Sequence, residues 1–306
     1  MPVPDFQSHM LPMLELAGDG TVHSLAEARD VLAARFGLTE VDRAELLPSG
    51  RQRRFDNRVA WAKVYLEQAG LLTTPKRGHF LVTENGRGLL KKRPERIDIG
   101  MLEQFEEFRD FRSRRTDSSP SQPYDASSEA VATPEETLES AYQSIRARLA
   151  EELLARVKAA SPSFLETLVV ELLTRMGYGG GRADASRAIG GTGDEGIDGI
   201  INEDRLGLDV IYIQAKRWSG AVGRPELQKF VGALHGKRAR KGVFITTGSF
   251  SADAREYVSR IDPRVVLIDG RALSLFMIDL NIGVTPRATY ELKRLDSDFF
   301  AEEDAV

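Results

Sequence analysis

The stretch Gly193-Asp194-Glu195-Gly196-Ile197-Asp198-Gly199-Ile200-Ile201, with Asp209-Val210-Ile211-Tyr212-Ile213-Gln214-Ala215-Lys216-Arg217-Trp218 after it, decides how the chain is read. A glycine-rich loop passes into a short apolar run, 202–207 is a polar turn, and the second stretch alternates as a strand. Successive side chains of a strand leave opposite faces, so Gln214 and Lys216 share one. A hairpin of the two runs would bring Asp198 to them, pointing a carboxylate, an amide oxygen and an ammonium into one space.

That set has a chemical meaning. A hard divalent cation takes oxygen ligands, one or two carboxylates with water and substrate phosphate completing its shell. Asp198 offers the carboxylate, and the side-chain oxygen of Gln214 and the carbonyl of Ala215 are further candidate ligands for Mg2+ or Mn2+. Lys216 would orient or deprotonate an attacking water and neutralise charge building on a phosphate. The destination is phosphodiester hydrolysis. On spacing alone, an exposed hairpin with solvated polar ends is the ordinary reading of such residues.

Downstream, helices are expected around Pro225 to Leu234, Ser251 to Val258 and Ala272 to Leu280, with strands at Val243 to Thr246 and Val265 to Ile268. Strands alternating with helices predict an α/β core with a central mixed sheet. Upstream, helices are expected from about Glu136 to Ala159 and from Ser161-Pro162-Ser163 to Gly177.

The first hundred residues read differently. Helical spacing runs from Phe6 to Leu16 and from Leu25 to Phe36, with Ser24 and Glu27 as a capping box. A third helix starts near Thr39, and a longer one covers Arg53 to Ala69, with Phe55, Val59, Ala62, Leu66 and Ala69 along one stripe and Gly70 ending it. Leu71-Leu72-Thr73-Thr74 and His79-Phe80-Leu81-Val82 flank Pro75-Lys76-Arg77-Gly78, a hairpin with a basic tip. Helices followed by a two-stranded wing predict a mainly α winged-helix domain. Arg54, Arg58, Trp61 and Tyr65 recur at helical spacing beside the apolar stripe, which suits either a face lying along DNA or a solvated basic face with a half-buried Trp.

Charge is distributed to match. The whole chain carries −4, yet 51–96 holds 12 Lys and Arg against 4 Asp and Glu, a net +8, and 216–264 holds 11 against 4, a net +7. Nucleic-acid binders are recognised by such local tracts rather than by the sum. The expected division is a winged-helix DNA-binding domain over 1–98, a short helix and flexible linker over 99–135, a nuclease-type domain over 136–290 and an acidic tail over 291–306. Zero cysteines exclude disulfides and thiolate metal sites, and no stretch approaches the ~20 apolar residues that span a bilayer. A cytoplasmic protein is the expectation, with no membrane partner. Gly179-Gly180-Gly181 and Gly190-Gly191 lack the order of a phosphate-binding loop, so no nucleotide cofactor is expected.

Glu166 with Met176-Gly177-Tyr178, Gly193 to Gly199, Gln214-Ala215-Lys216-Arg217-Trp218 and Gly242-Val243-Phe244-Ile245-Thr246-Thr247 together resemble the catalytic domain of Mrr-type restriction endonucleases, in the PD-(D/E)xK nuclease class. Leu46 to Phe55, Arg58 to Ala62, Ala69 to Leu72 and Arg77-Gly78 resemble the N-terminal domain of the same family. The resemblance implies a type IV endonuclease that cuts modified, methylated double-stranded DNA with Mg2+ or Mn2+. By the same resemblance Asp198 is the metal-binding aspartate, Gln214 stands at the Asp/Glu position, Lys216 is the catalytic lysine and Glu166 is the glutamate of the first core helix. Arg51, Arg54, Arg58, Lys76 and Arg77 are the expected DNA contacts. Cutting both strands needs two sites and hence at least a homodimer.

Gln214 in place of an acid lowers the negative charge at the site, with Glu166 or Asp194 as compensation. A structure-selective repair or recombination nuclease, and a DNA-binding regulator with an inactive nuclease domain, are the alternatives. Asp194 reads either as a supporting carboxylate or as the polar end of a turn; Glu171 reads as a surface residue, and His235 with 237–241 as a helix C-terminus.

Overall fold

A computed structural model of the chain describes residues 2–116, 132–179, 197–204, 206 and 208–293. Asp194, the glycine-rich loop up to Gly196, most of the linker and the acidic tail after Lys293 lie outside the described residues. The chain divides into two units, Met1–Ser144 and Ile145–Leu292.

In the first unit a turn at Gln7–His9 leads into α1 (Met10–Ala17), then β1 (His23–Ser24) and α2 (Leu25–Arg35). Ser24 and Glu27 close the expected capping box, satisfying the free amides at the start of α2. Thr39 caps α3 (Glu40–Ala44), and α4 (Arg54–Gln68) follows. The α4 stripe of Phe55, Val59, Ala62, Leu66 and Ala69 is fully buried against Met10, Met13 and Leu14 of α1 and Leu32 of α2. Gly70 ends the helix at φ +67°, a conformation only glycine adopts without strain. The hairpin is β2 (Leu72–Thr73) and β3 (His79–Val82), antiparallel, with Leu72 opposite Val82. β1 adds a third strand, His23 opposite Phe80, which two residues are too short to announce as a period. Next come α5 (Glu84–Lys91), α6 (Ile99–Leu102) and α7 (Glu106–Thr116), so the short helix expected after residue 98 is a pair.

The division between units falls within α8 (Pro134–Ala159). The second unit continues with α9 (Pro162–Arg175), capped by Ser161, β4 (Gly199–Asn202), β5 (Val210–Lys216), β6 (Ala221–Val222), α10 (Arg224–Gly236), β7 (Lys241–Thr246), β8 (Ser249–Phe250), α11 (Ala252–Ser259), β9 (Arg264–Ile268) and α12 (Gly270–Asp279). The main sheet has the order β4-β5-β7-β9; β4 and β5 are antiparallel and the other pairs parallel, the mixed sheet expected.

Strand alternation sorts the core into two layers. Ile211, Ile213, Val243 and Ile245 pack with Leu165, Val169, Leu172 and Leu273 of α9 and α12. Tyr212 and Phe244 turn the other way, onto Leu227, Phe230, Val231 and Leu234 of α10. Burying each large apolar side chain is worth roughly 1.5–3 kcal/mol, so the register of β5 is firmly specified: a one-residue slip would expose the isoleucines. Gly242 lets α10 pack close, because a Cβ would sit 2.9 Å from the Phe230 ring and force it to shift. Among the described residues no helix is long and apolar enough to cross a membrane.

Candidate active site

Gly199 pairs with Ile213, and the Asp198 N–H donates to the Ile213 carbonyl at 2.8 Å, so Asp198 is the last rung of the β4–β5 ladder and stands opposite Gln214. One oxygen of its carboxylate, Oδ2, accepts from Gln214 Nε2 at 2.5 Å and from the Ala215 N–H at 2.7 Å. The hairpin therefore joins Asp198 to Gln214 as the sequence predicts, but with an unanticipated polarity. A carboxylate only accepts, so the Gln214 amide meets it through nitrogen and holds it in place, whereas the sequence reading took the Gln214 oxygen as a ligand. Burial pushes the Asp198 carboxyl above its ordinary range, against the pull of the Ala215 N–H and the Lys216 charge.

The N–H and C=O of one strand residue point to the same side. The Ala215 carbonyl is thus directed past the start of β4, on the side where its N–H meets Asp198. Glu166, half-buried on α9, lines a narrow crevice, open to solvent, with Val169, Val170, Asp198, Gly199, Ile213 and Ala215. Among the described residues no group of three or more His, Asp or Glu side chains is placed to hold a metal. The oxygen donors around the crevice are instead two carboxylates, Asp198 and Glu166, and the Ala215 carbonyl. That all-oxygen set, short of a full cage, fits a hard ion that keeps most of its water and takes substrate phosphate.

Lys216 leaves the sheet on the Gln214 face, as alternation requires. Its ammonium pairs with Glu226 in the first turn of α10 and lies 4.6 Å from the centre of the Trp218 ring. Glu226 has no signal in the sequence beyond being an acid at a helix start.

The other expected residues disperse. Glu171 pairs with Arg175 on the surface of α9, the surface reading. His235 occupies the last turn of α10 with Lys237 just beyond it, where cations suit the helix dipole; Lys241 pairs with Glu203 and Asp209. In the first unit Arg51, Lys76 and Arg77 are exposed. Arg58 donates to Glu136 Oε1 at 3.0 Å and to the carbonyls of Val3 and Pro4 at 2.6 and 2.9 Å, and Arg54 lies between Glu45 at 2.5 Å and Glu136 at 3.4 Å. Trp61 donates to Glu135 at 2.5 Å, Thr133 to Asn57 at 2.6 Å and the Ser49 N–H to Glu139 at 2.7 Å. The first turns of α8 thus lie along the α4 stripe, within the first unit, whereas the sequence reading began the second domain at residue 136. Tyr65, read as part of the exposed stripe, is buried among Phe6, Trp61, Phe108 and Phe111, because α7 covers its end of α4.

Two family models match: the Mrr N-terminal domain over residues 6–92 and Mrr_cat, a restriction endonuclease, over residues 157–277. The chain is 38% identical over 313 residues to the type IV methyl-directed restriction enzyme EcoKMrr of Escherichia coli (strain K12), covering 98% of this chain and 100% of that one. Among solved structures, MspJI restriction endonuclease in complex with a 27-mer oligonucleotide is 24% identical, with a TM-score of 0.29 over 53% of this chain and 36% of its own. The DNA modification-dependent restriction endonuclease AspBHI is 17% identical, with a TM-score of 0.34 over 54% and 41%. The chain therefore spans less than half the length of those two. The full-length identity to the Escherichia coli enzyme, with both family models matched in order, establishes that this chain belongs to the Mrr family of restriction endonucleases.

Proposed function

We propose that this protein is a divalent-metal-dependent endonuclease that hydrolyses phosphodiester bonds in modified, methylated double-stranded DNA. The observation that carries this reading is the end of the β4–β5 ladder, where the Asp198 carboxylate is held by the Gln214 amide and the Ala215 N–H within the field of the Lys216 charge, in a chain similar end to end to a methyl-directed restriction enzyme. Asp198, Glu166 and the Ala215 carbonyl would hold Mg2+ or Mn2+, which when bound supplies charge neutralisation at the phosphate and a more acidic attacking water. The Gln214 amide and the Ala215 N–H fix the Asp198 carboxylate, and Lys216 brings a positive charge to the scissile phosphate and orients the water.

The first unit reads as a winged-helix domain, with the β2–β3 hairpin on its DNA side. Arg51, Lys76 and Arg77 are the cations for phosphate contact, whereas Arg54 and Arg58 serve the α8 turn that lies on them. A reducing cytoplasm suits a chain without cysteine, and cutting both strands calls for at least a dimer. The test is to incubate purified protein and Mg2+ with plasmids that differ only in methylation. Cleavage confined to the methylated plasmid is expected; equal cleavage of both, or of neither, would remove modification dependence or activity from this reading.

A further inference from the structure

The Lys216 ammonium is bracketed: the Glu226 carboxylate holds it on one side and the Trp218 ring lies 4.6 Å away on another. Glu226 comes from α10, the helix packed on the face of the sheet to which Tyr212, Gln214 and Lys216 turn. Its second oxygen takes Lys229 at 2.9 Å, but Lys229 is 72% exposed and Glu226 only 19%, so the bond to Lys216 is the inner of the two. Two residues before Lys216, the position that would carry an acid holds the neutral Gln214, already engaged with Asp198. The carboxylate that meets Lys216 is therefore on the helix, not on the strand.

We propose that Glu226 is a positioning residue for the reaction, holding the Lys216 ammonium at the place where the scissile phosphate and attacking water arrive. A lysine ends in a mobile four-carbon stem, and its charge serves a transition state only when the stem is fixed. Glu226 and Trp218 fix it from two sides before DNA binds. An acid in a first helical turn also suits the helix dipole, but that role needs only a charge near the helix start, not contact with Lys216. The proposal rests on Lys216 acting in hydrolysis, as argued above.

The experiment compares Glu226→Gln, Glu226→Asp and Lys216→Ala in the full-length protein, with single-turnover cleavage of a methylated plasmid, DNA affinity and melting temperature measured for each. Glu226→Gln is expected to lower the cleavage rate by about 10- to 100-fold, the usual loss when a group orienting an active residue is removed, with DNA affinity unchanged. Glu226→Asp, which keeps the carboxylate, should recover part of the rate, and it stands in should Glu226→Gln fail to fold. Wild-type cleavage by Glu226→Gln while Lys216→Ala is inactive would overturn the role of Glu226 alone. A loss that follows DNA affinity or melting temperature instead of rate would overturn it too. Normal cleavage by Lys216→Ala would remove the site reading and this inference together.

Discussion

Arg58 and Glu136, 78 residues apart, form a nearly enclosed ion pair at 2.9 Å, their side chains 12% and 9% exposed. The Nη1 of the guanidinium donates to two backbone carbonyls near the N-terminus. Arg58→Ala would take from the Glu136 carboxylate its nearest cation, leaving it Arg54 at 3.4 Å and the Thr133 N–H at 2.9 Å, a loss of about 3 kcal/mol for a buried pair stripped of one partner. The expected result is a fall in melting temperature on the order of 10 °C for a unit of this size, with the salt dependence of DNA binding unchanged. A slope reduced by about 0.9 would mean that Arg58 reaches a phosphate after all.

The hairpin tip should behave in the opposite way. Lys76 and Arg77 are exposed, so replacing both with Ala should leave the melting temperature within about 1 °C and lower the slope of log K against log salt by roughly two. Affinity should fall alike for methylated and unmethylated duplex. A loss confined to methylated DNA would assign base readout to the hairpin.

Asp198→Ala and Lys216→Ala should each abolish cleavage while DNA affinity changes by less than about threefold, because the exposed cations proposed to meet DNA lie on the first unit. Excess EDTA should do the same to the wild type, since the site offers oxygen donors and no thiolate. Cleavage that persists in EDTA would dismiss the metal; affinity lost in step with cleavage would make these residues part of the DNA grip or of the fold.

Glu166 lies in the second turn of α9, beyond the first-turn positions where the helix dipole acts. Glu166→Gln is accordingly expected to lower cleavage at least tenfold with little change in melting temperature. Higher Mg2+ should restore part of the rate if the carboxylate helps hold the ion. A modest stability loss with normal cleavage would leave Glu166 as a helix residue only.

His9 gives the first unit a pH dependence. Its ring is fully buried against Phe36 and Phe55, and burial lowers its pKa from 6.5 to about 4, with the nearby Arg58 charge lowering it further and the Asp5 contacts raising it. The unfolded chain therefore binds the proton first. Stability is full above pH 6.5 and declines by about 1.4 kcal/mol per unit as pH falls toward 4, roughly 3 kcal/mol in all. Melting curves of the wild type and His9→Leu between pH 7 and 5 test this: the variant should show the flatter dependence, and parallel curves would dismiss His9 as its source.

What the sequence determined by itself is what depends on near neighbours. Helical and strand periods placed α4 and its buried stripe, the alternation of β5 and the shared face of Gln214 and Lys216, and turn chemistry placed the Ser24 cap and the hairpin at Lys76-Arg77. Those signals are short in range because they reflect backbone conformation and one side of burial. Tertiary structure alone decided which faces meet. Glu226 reaches Lys216 because α10 packs back on the sheet, Glu136 reaches Arg58 across 78 residues, and Tyr65 is buried because α7 closes over it. Whether Gln214 offers Asp198 its nitrogen or its oxygen was likewise set by where the Asp198 carboxylate lands, at the last rung of the ladder between β4 and β5. Such contacts join segments with no periodic relation, so no pattern along the chain can announce them.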